Sequence, residues 1–507
     1  MTDAPSPPGD APPPAGDRRR YALIALAVLA VIAVVSLLVA SPWSEDDPSA
    51  SSAASTTTTA PTSTTGEPPV HGEPGAAGVG DPYYPGLGNG GFDAEHYTLD
   101  LTWLADEGVL EGVATMDATA TQDLSQLNLD LSGLEVRAVT VEGEEATWTR
   151  DGRELVIDPA TDIADGADFT TVITYAGKPE PITEGTDLFA LGWQTHGREA
   201  FVASEPSGAQ TFFPVSDHPT DKATYTINVT APEDQTVAAN GLLAGSNDTG
   251  HGTRSWTYEA TDLMASYLVQ VAIGDYELVD AGKVGDVVVR HAFHRSLADD
   301  AALTAEKTAE MIGLLDDIYG PYPFEAYGVL AVPEDLGFAL ETQTLTLIGS
   351  DIAGGWRRAD QTLLHELAHQ WVGDAVSPST WQDIWLNEGF ATYAEWLWLE
   401  RTGQISAADS ARQLEGSSEL NSPPGDPGPD ELFAAPVYLR GGMTLQALRE
   451  RIGDDAFFAL LPRWIDEHHG STASTDDFIA LAEEISGEQL DDLFDAWLYD
   501  AELPSLD

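Results

Sequence analysis

The sequence predicts an α+β, multidomain chain: a membrane-spanning helix near the N-terminus, then an antiparallel β domain, then a mainly α-helical domain. Three observations carry that expectation. Residues 21–40 hold no charge, short alternating runs fill 83–280, and apolar residues recur at helical spacing after His291. A chain of 507 residues exceeds one hydrophobic core, so two folded domains plus appendages follow from length alone.

Residues 1–20 are Pro-rich and end in Arg18, Arg19 and Arg20. The uncharged run 21–40 that follows has the length an α-helix needs to cross the roughly 30 Å of a hydrocarbon core. Arginines before the run and Glu45, Asp46 and Asp47 beyond it place 1–20 in the cytoplasm by the positive-inside rule. The chain is thus expected at the cell membrane, single-pass, with its folded part extracellular. A cleaved signal peptide competes with this reading. The apolar stretch is longer than a usual signal core, however, and Leu38-Val39-Ala40 lacks a small residue three before the cut. Residues 41–82, rich in Ser, Thr, Ala, Pro and Gly, carry too few large apolar groups to offset ordering entropy. They are expected as a disordered stalk with a root-mean-square reach of roughly 35 Å.

Between 83 and 280 the pattern has period two, as in Tyr97-Thr98-Leu99-Asp100-Leu101-Thr102-Trp103, broken by Gly, Asp and Pro turns. That is the mark of strands with one buried face. From 301 to 319 the period changes, with Leu303, Ala309, Met311, Leu314, Leu315 and Ile318 at helical spacing. The second domain is assigned to 281–507.

Charge and cysteine content narrow the chemistry. The chain has 84 Asp plus Glu against 22 Lys plus Arg, a formal net of -62, which argues against a nucleic-acid partner. So acidic a surface suits high salt or draws cationic substrates. With no cysteine, disulfides, thiolate ligands and cysteine nucleophiles are excluded, and any metal must sit on His and carboxylates.

The stretch Asp360-Gln361-Thr362-Leu363-Leu364-His365-Glu366-Leu367-Ala368-His369-Gln370-Trp371 has no Gly or Pro and reads as a helix. His365 and His369, four apart, lie on one face, so both imidazoles reach one zinc ion at ~2.0–2.1 Å. Glu366, one residue on, points beside the metal, where a general base belongs. Catalytic zinc requires a third protein ligand and an open position. Eighteen residues after His369 comes Asn387-Glu388-Gly389-Phe390-Ala391, whose helical pattern offers Glu388 as that ligand from a second helix. Asp374 and Asp383 are candidates to orient the ligands, against the alternative that, in a chain this acidic, they are simply solvated.

These motifs resemble those of the gluzincin zinc aminopeptidases, the family of membrane alanyl aminopeptidase and the leukotriene hydrolases. The resemblance runs from about 93 to 506, through Glu205-Pro206-Ser207-Gly208-Ala209-Gln210, Tyr319-Gly320-Pro321-Tyr322-Pro323-Phe324 and the closing Trp497-Leu498. It implies a thermolysin-like catalytic domain, one Zn2+ per chain and peptide substrates with a free N-terminus. It also implies that Glu341 and Glu205 bind the substrate's α-amine and that Tyr438, in Val437-Tyr438-Leu439-Arg440-Gly441, stabilises the oxyanion. Phe338, Leu340 and Thr342 stand where the family's amine-binding segment has Gly, Met and Asn. The chain ends where the family's catalytic domain ends, without the helical C-terminal domain of longer members, so a more open cleft is expected.

The expected activity is metal-dependent hydrolysis of the first peptide bond. Two readings compete: a zinc hydrolase of other specificity, endopeptidase or non-peptide hydrolase, suggested by the altered amine-binding segment, and a catalytically silent surface-binding protein. No ligand or base is lost, as the last would require.

Overall fold

A computed structural model describes residues 72–183, 189–353 and 359–506. The expected tail 1–20, anchor 21–40 and most of the stalk 41–82 lie outside these residues. Among the described residues no helix is long and apolar enough to cross a membrane.

Alternation along the first half produces sheets with one buried face. In Phe92–Leu104, Tyr97, Leu99, Leu101 and Trp103 are buried while Asp93 and Asp100 face solvent, as a period of two requires. That strand is central to an eight-stranded sheet ordered Leu242–Gly250, Thr253–Ala265, Lys222–Pro232, Phe92–Leu104, Val109–Ala120, Asp168–Gly177, Glu135–Val141 and Glu144–Glu145. The sheet is not wholly antiparallel, because Lys222–Pro232 runs parallel to Phe92–Leu104. A second sheet of Gly192–His196, Glu199–Ala203, Val271–Gly274 and Thr236–Ala239 is antiparallel throughout. Trp103 and Trp193 meet between the two sheets with ring centroids 5.4 Å apart. Glu205 follows directly on the second sheet.

Around and beyond the expected boundary at 281 the chain is less purely helical than expected. The hairpin Tyr276–Val284 and Val287–His294 joins a sheet with Val329–Ala331, Thr346–Ile348 and, at its edge, Ala339–Leu340. Beyond the hairpin, its strands of two or three residues are too short to show a period and left no pattern to read. Its edge strand delivers Glu341.

The helix expected over 301–319 is split. Ala298–Thr304 and Thr308–Tyr319 are separated by a 3-10 turn, Ala305–Lys307. Three residues per turn shift the helical phase. Leu303 and Ala309, both placed by periodicity on the apolar stripe, are exposed, Leu303 at 67 %, while Met311, Leu314, Leu315 and Ile318 are buried as expected. Trp371, Trp381, Trp385 and Trp464 are fully buried in this domain.

The stalk assignment is corrected over 72–82, which is ordered. Glu73–Pro74 pairs with Leu124–Asp130, and Gly75 N donates to Gln126 O at 2.8 Å. These backbone bonds supply the ordering energy that the side-chain composition lacks. Asp81 is the key residue: its carboxylate accepts from the Tyr83 and Tyr84 amides, from the Trp381 amide and from His218 Nε2. It thus ties this strap, the β domain and the catalytic domain at one point. Burial pushes the Asp81 carboxyl up, but His218 and the three amides outweigh it and hold it below its ordinary 3.8. Its contribution to stability is therefore present above 3.8 and is lost as pH falls through the lower native value. Asp81→Ala, which orphans these donors, is expected to cost about 2–4 kcal/mol in denaturant unfolding at pH 7. The gap to the parent should narrow below pH 3.8; a gap that widens there would contradict the assignment.

Candidate functional site

A helix spans Ala359–Ala368, and His369 extends it in effect, since its amide still donates to His365 O at 3.2 Å. Four-residue spacing then sets the two imidazoles edge to face on one side of the helix, with centroids 4.8 Å apart and planes at 74°. Each ring is held at Nδ1, His365 by Glu395 Oε1 at 2.9 Å and His369 by the Val372 carbonyl at 3.0 Å. That leaves both Nε2 atoms facing inward.

They face Glu388. It sits in the first turn of the helix Trp385–Arg401, and its Oε2 lies 3.0 Å from His365 Nε2 and 3.4 Å from His369 Nε2. Gly389 lets this helix come close to the next one, Gly441–Ile452: a Cβ at Gly389 would stand 2.9 Å from the Gly441 backbone. The approach brings in Tyr438. That residue lies in a single π-helical turn, Pro436–Arg440, leading into Gly441–Ile452, and its ring stacks on His365 at 5.8 Å and 20°. Burial, and then the charges of Glu388 and Glu205, push the Tyr438 hydroxyl well above its ordinary value, so it remains a proton donor.

A cavity of about 300 Å3 gathers the rest, lined by Glu205, Glu341, His365, Glu366, His369, Glu388 and Tyr438 among others. The seven residues expected to bind the metal, act as base, bind the amine or stabilise the oxyanion thus surround one space. Glu341 Oε1 lies 3.8 Å from His369 Nδ1, and both Glu341 Oε1 and Glu205 Oε1 are buried without a hydrogen-bond partner.

Two family models match the chain: the Peptidase M1 N-terminal domain over 93–268 and the Peptidase family M1 domain over 303–497. The chain belongs to peptidase family M1. Among solved structures it is similar to the M1 zinc metallopeptidase from Deinococcus radiodurans, at 34% identity and a TM-score of 0.79, covering 85% of this chain and 98% of that one. A variant of that protein was solved with a Tyr-Ser-Ala substrate (33% identity, TM-score 0.78, covering 85% and 99%). Aminopeptidase 2 from Candida albicans is 23% identical over 79% of this chain. The chain spans less than half the length of such curated relatives, 46% of the Candida protein and 36% of Aminopeptidase M1 from Arabidopsis thaliana.

The donor set of this M1 chain fits one zinc. Tetrahedral ligand atoms at ~2.0–2.1 Å from the ion stand about 3.4 Å from one another, and the contacts of Glu388 Oε2 to the two Nε2 atoms are 3.0 and 3.4 Å. Charge agrees. Burial raises the Glu366 carboxyl to about 8, which His365 and His369 only partly offset, and burial with Glu341 raises Glu205 as well. Burial alone would raise Glu388 too, but His369 and His365 hold it at about 2. Glu388 thus stays ionised between the two imidazoles, the charge state that a ligand to a dication needs.

Asp374 and Asp383 do not orient the ligands. Asp383 accepts from Thr475 N and Oγ1, and the Asp374 carboxylate, fully buried, has no hydrogen-bond partner. The residues that hold the rings are Glu395 and Val372, by its carbonyl. Glu395 was legible: it stands seven after Glu388, two turns along the same helix face. The Val372 carbonyl had no signal, because a backbone group acts there.

Proposed function

We propose that this M1 chain is a zinc-dependent aminopeptidase that hydrolyses the first peptide bond of peptides with a free N-terminus. One observation carries the reading: an unpartnered, buried carboxylate oxygen of Glu341 stands 3.8 Å from the His369 ring, beside the three-residue metal set. A carboxylate so placed pairs with an ammonium and positions the adjacent carbonyl at the metal.

His365, His369 and Glu388 would hold the zinc. When bound, it polarises the scissile carbonyl and makes water acidic enough to attack near neutral pH. Glu341 and Glu205 bind the α-amine, anchoring the chain end so that one residue separates amine from reacting carbonyl. Glu366 takes a proton from the attacking water and passes it to the departing amine. The Tyr438 hydroxyl donates to the oxygen of the tetrahedral intermediate. Phe338, Leu340 and Thr342, which depart from the family pattern, do not displace the Glu341 carboxylate from the cavity. Capture of a tripeptide by the Deinococcus relative supports a peptide substrate.

The test uses the purified full-length chain with aminoacyl-arylamides and their N-acetylated twins, with and without a chelator. Release from the free-amine substrates alone, abolished by chelation and restored by zinc, is the expected result. Equal cleavage of the blocked twins would replace the reading by a hydrolase of other specificity.

The reading includes a membrane location with the catalytic part outside the cell, supported by the uncharged run 21–40 behind Arg18, Arg19 and Arg20. Activity that stays with membranes through alkaline carbonate extraction supports it. Activity released entirely to the supernatant refutes it.

A further inference from the structure

Gln370 directly follows the second histidine, yet it is fully buried and its side chain holds a different element. Its Nε2 donates to the Glu341 carbonyl at 2.7 Å, its Oε1 accepts from the Thr344 amide at 2.8 Å, and the Tyr322 hydroxyl lies 3.0 Å from that same oxygen. One amide thus grips both ends of the turn that leaves the edge strand Ala339–Leu340.

The far side of this turn is held by the β domain. Thr344 Oγ1 accepts from the Gly241 amide at 2.8 Å, and Asn240 Nδ2 donates to the Gln343 carbonyl at 2.6 Å. Thr342, standing where the family pattern has Asn, closes the turn locally by donating its hydroxyl proton to the Leu345 carbonyl. Thr344 itself has φ +65°, a left-handed conformation that a β-branched residue keeps only when its surroundings impose it. Glu341, Thr342, Gln343 and Thr344 are all buried. The backbone here is fixed by specific bonds, and the one that leads to the metal-binding helix is Gln370.

We propose that Gln370 is a positioning residue that sets the distance between the Glu341 carboxylate and the metal ligands, and thereby confines cleavage to the first peptide bond. The proposal rests on the aminopeptidase reading above. Its physical basis is register: successive residues of an extended peptide advance ~3.3–3.6 Å, while a misplacement of ~1 Å costs on the order of 10²-fold in rate. The amine-binding carboxylate and the histidines come from separate elements, so a rigid link between the two must hold that tolerance. Packing alone slides more easily than a pair of opposed hydrogen bonds from one planar amide.

The experiment compares the zinc-loaded full-length parent with Gln370→Met, which keeps the volume and removes all three bonds, and Gln370→Glu, which keeps the acceptor toward Thr344 and Tyr322. Zinc content and thermal unfolding are read first; if the Met variant fails to hold zinc, the Glu variant decides by the same criteria. For a free-amine aminoacyl-arylamide, KM is expected to rise about tenfold in Gln370→Met with kcat within about threefold. The Glu variant should lie between it and the parent. Mass spectrometry of a digested peptide should show dipeptide release from Gln370→Met where the parent releases single residues. Unchanged KM and product register in a zinc-replete variant would overturn the proposal, as would a fall in kcat that merely follows lost zinc. Failure of the aminopeptidase reading shows separately, in the parent, as equal cleavage of free and N-acetylated substrates.

Discussion

Glu366→Gln should lower kcat by at least about 10³-fold while the protein still binds one zinc per chain. Gln matches Glu in shape but cannot accept a proton, and general-base catalysis commonly contributes 10²–10⁴-fold. Glu366 is the one acid of the cavity placed for this task. Glu388 faces both Nε2 atoms, and Glu341 and Glu205 are the carboxylates proposed above to bind the amine. Because Glu366 follows His365 by one residue, its carboxylate lies beside the ligand set, and no ligand is lost in the variant. The measurement is steady-state turnover alongside metal analysis of the same sample. A kcat within tenfold of the parent, or a variant that no longer holds zinc, would remove Glu366 from the role of base.

The second large effect concerns Arg440. Its guanidinium is fully buried and donates to the carbonyls of Trp497 (2.7 Å), Asp500 (2.6 Å), Ala496 (3.0 Å), Leu420 and Ser422 (both 3.3 Å). Burial lowers its pKa, a cost that the surrounding carbonyls and Asp500 counter. These contacts join the chain's last turn, Asp495–Tyr499, to the π-helical turn that carries Tyr438. Arg440→Met leaves five acceptors without a donor and is expected to cost about 3–5 kcal/mol in denaturant unfolding. Turnover should fall as well, since Tyr438 loses the support of its own turn. Arg440→Lys, with three donors on a point charge, should recover only part of either loss, because it cannot span the planar fork of contacts. A change in stability below about 1 kcal/mol would show that water replaces the guanidinium at little cost.

The parts of this protein that were legible in its sequence share one property: their geometry is set by near neighbours along the chain. Alternation in Phe92–Leu104 announced a half-buried strand, and the four-residue spacing of His365 and His369 announced two rings on one face. Glu388 was reachable because its helix has a pattern of its own and follows at a set distance. Glu341, Glu205 and Tyr438 were not derivable from local physics, since a buried acid among 84 looks like any other in a linear string. Resemblance pointed to them, and the fold brought all three into the cavity of the histidines.

The sequence by itself therefore determined the periodicities and brought His365, His369, Glu388 and Glu366 forward as the candidate metal ligands and base. Tertiary structure alone decided that 72–82 is ordered, that Asp81 reaches Trp381 across the chain, and that the short strands from Tyr276–Val284 to Thr346–Ile348 form one sheet. It likewise decided that Gln370 holds Glu341 and that Arg440 holds the final turn. The physical reason is distance along the chain. Hydrogen bonds between residues tens or hundreds of positions apart depend on how whole elements pack, and most of these bonds end on backbone groups, which every residue carries and no sequence pattern marks.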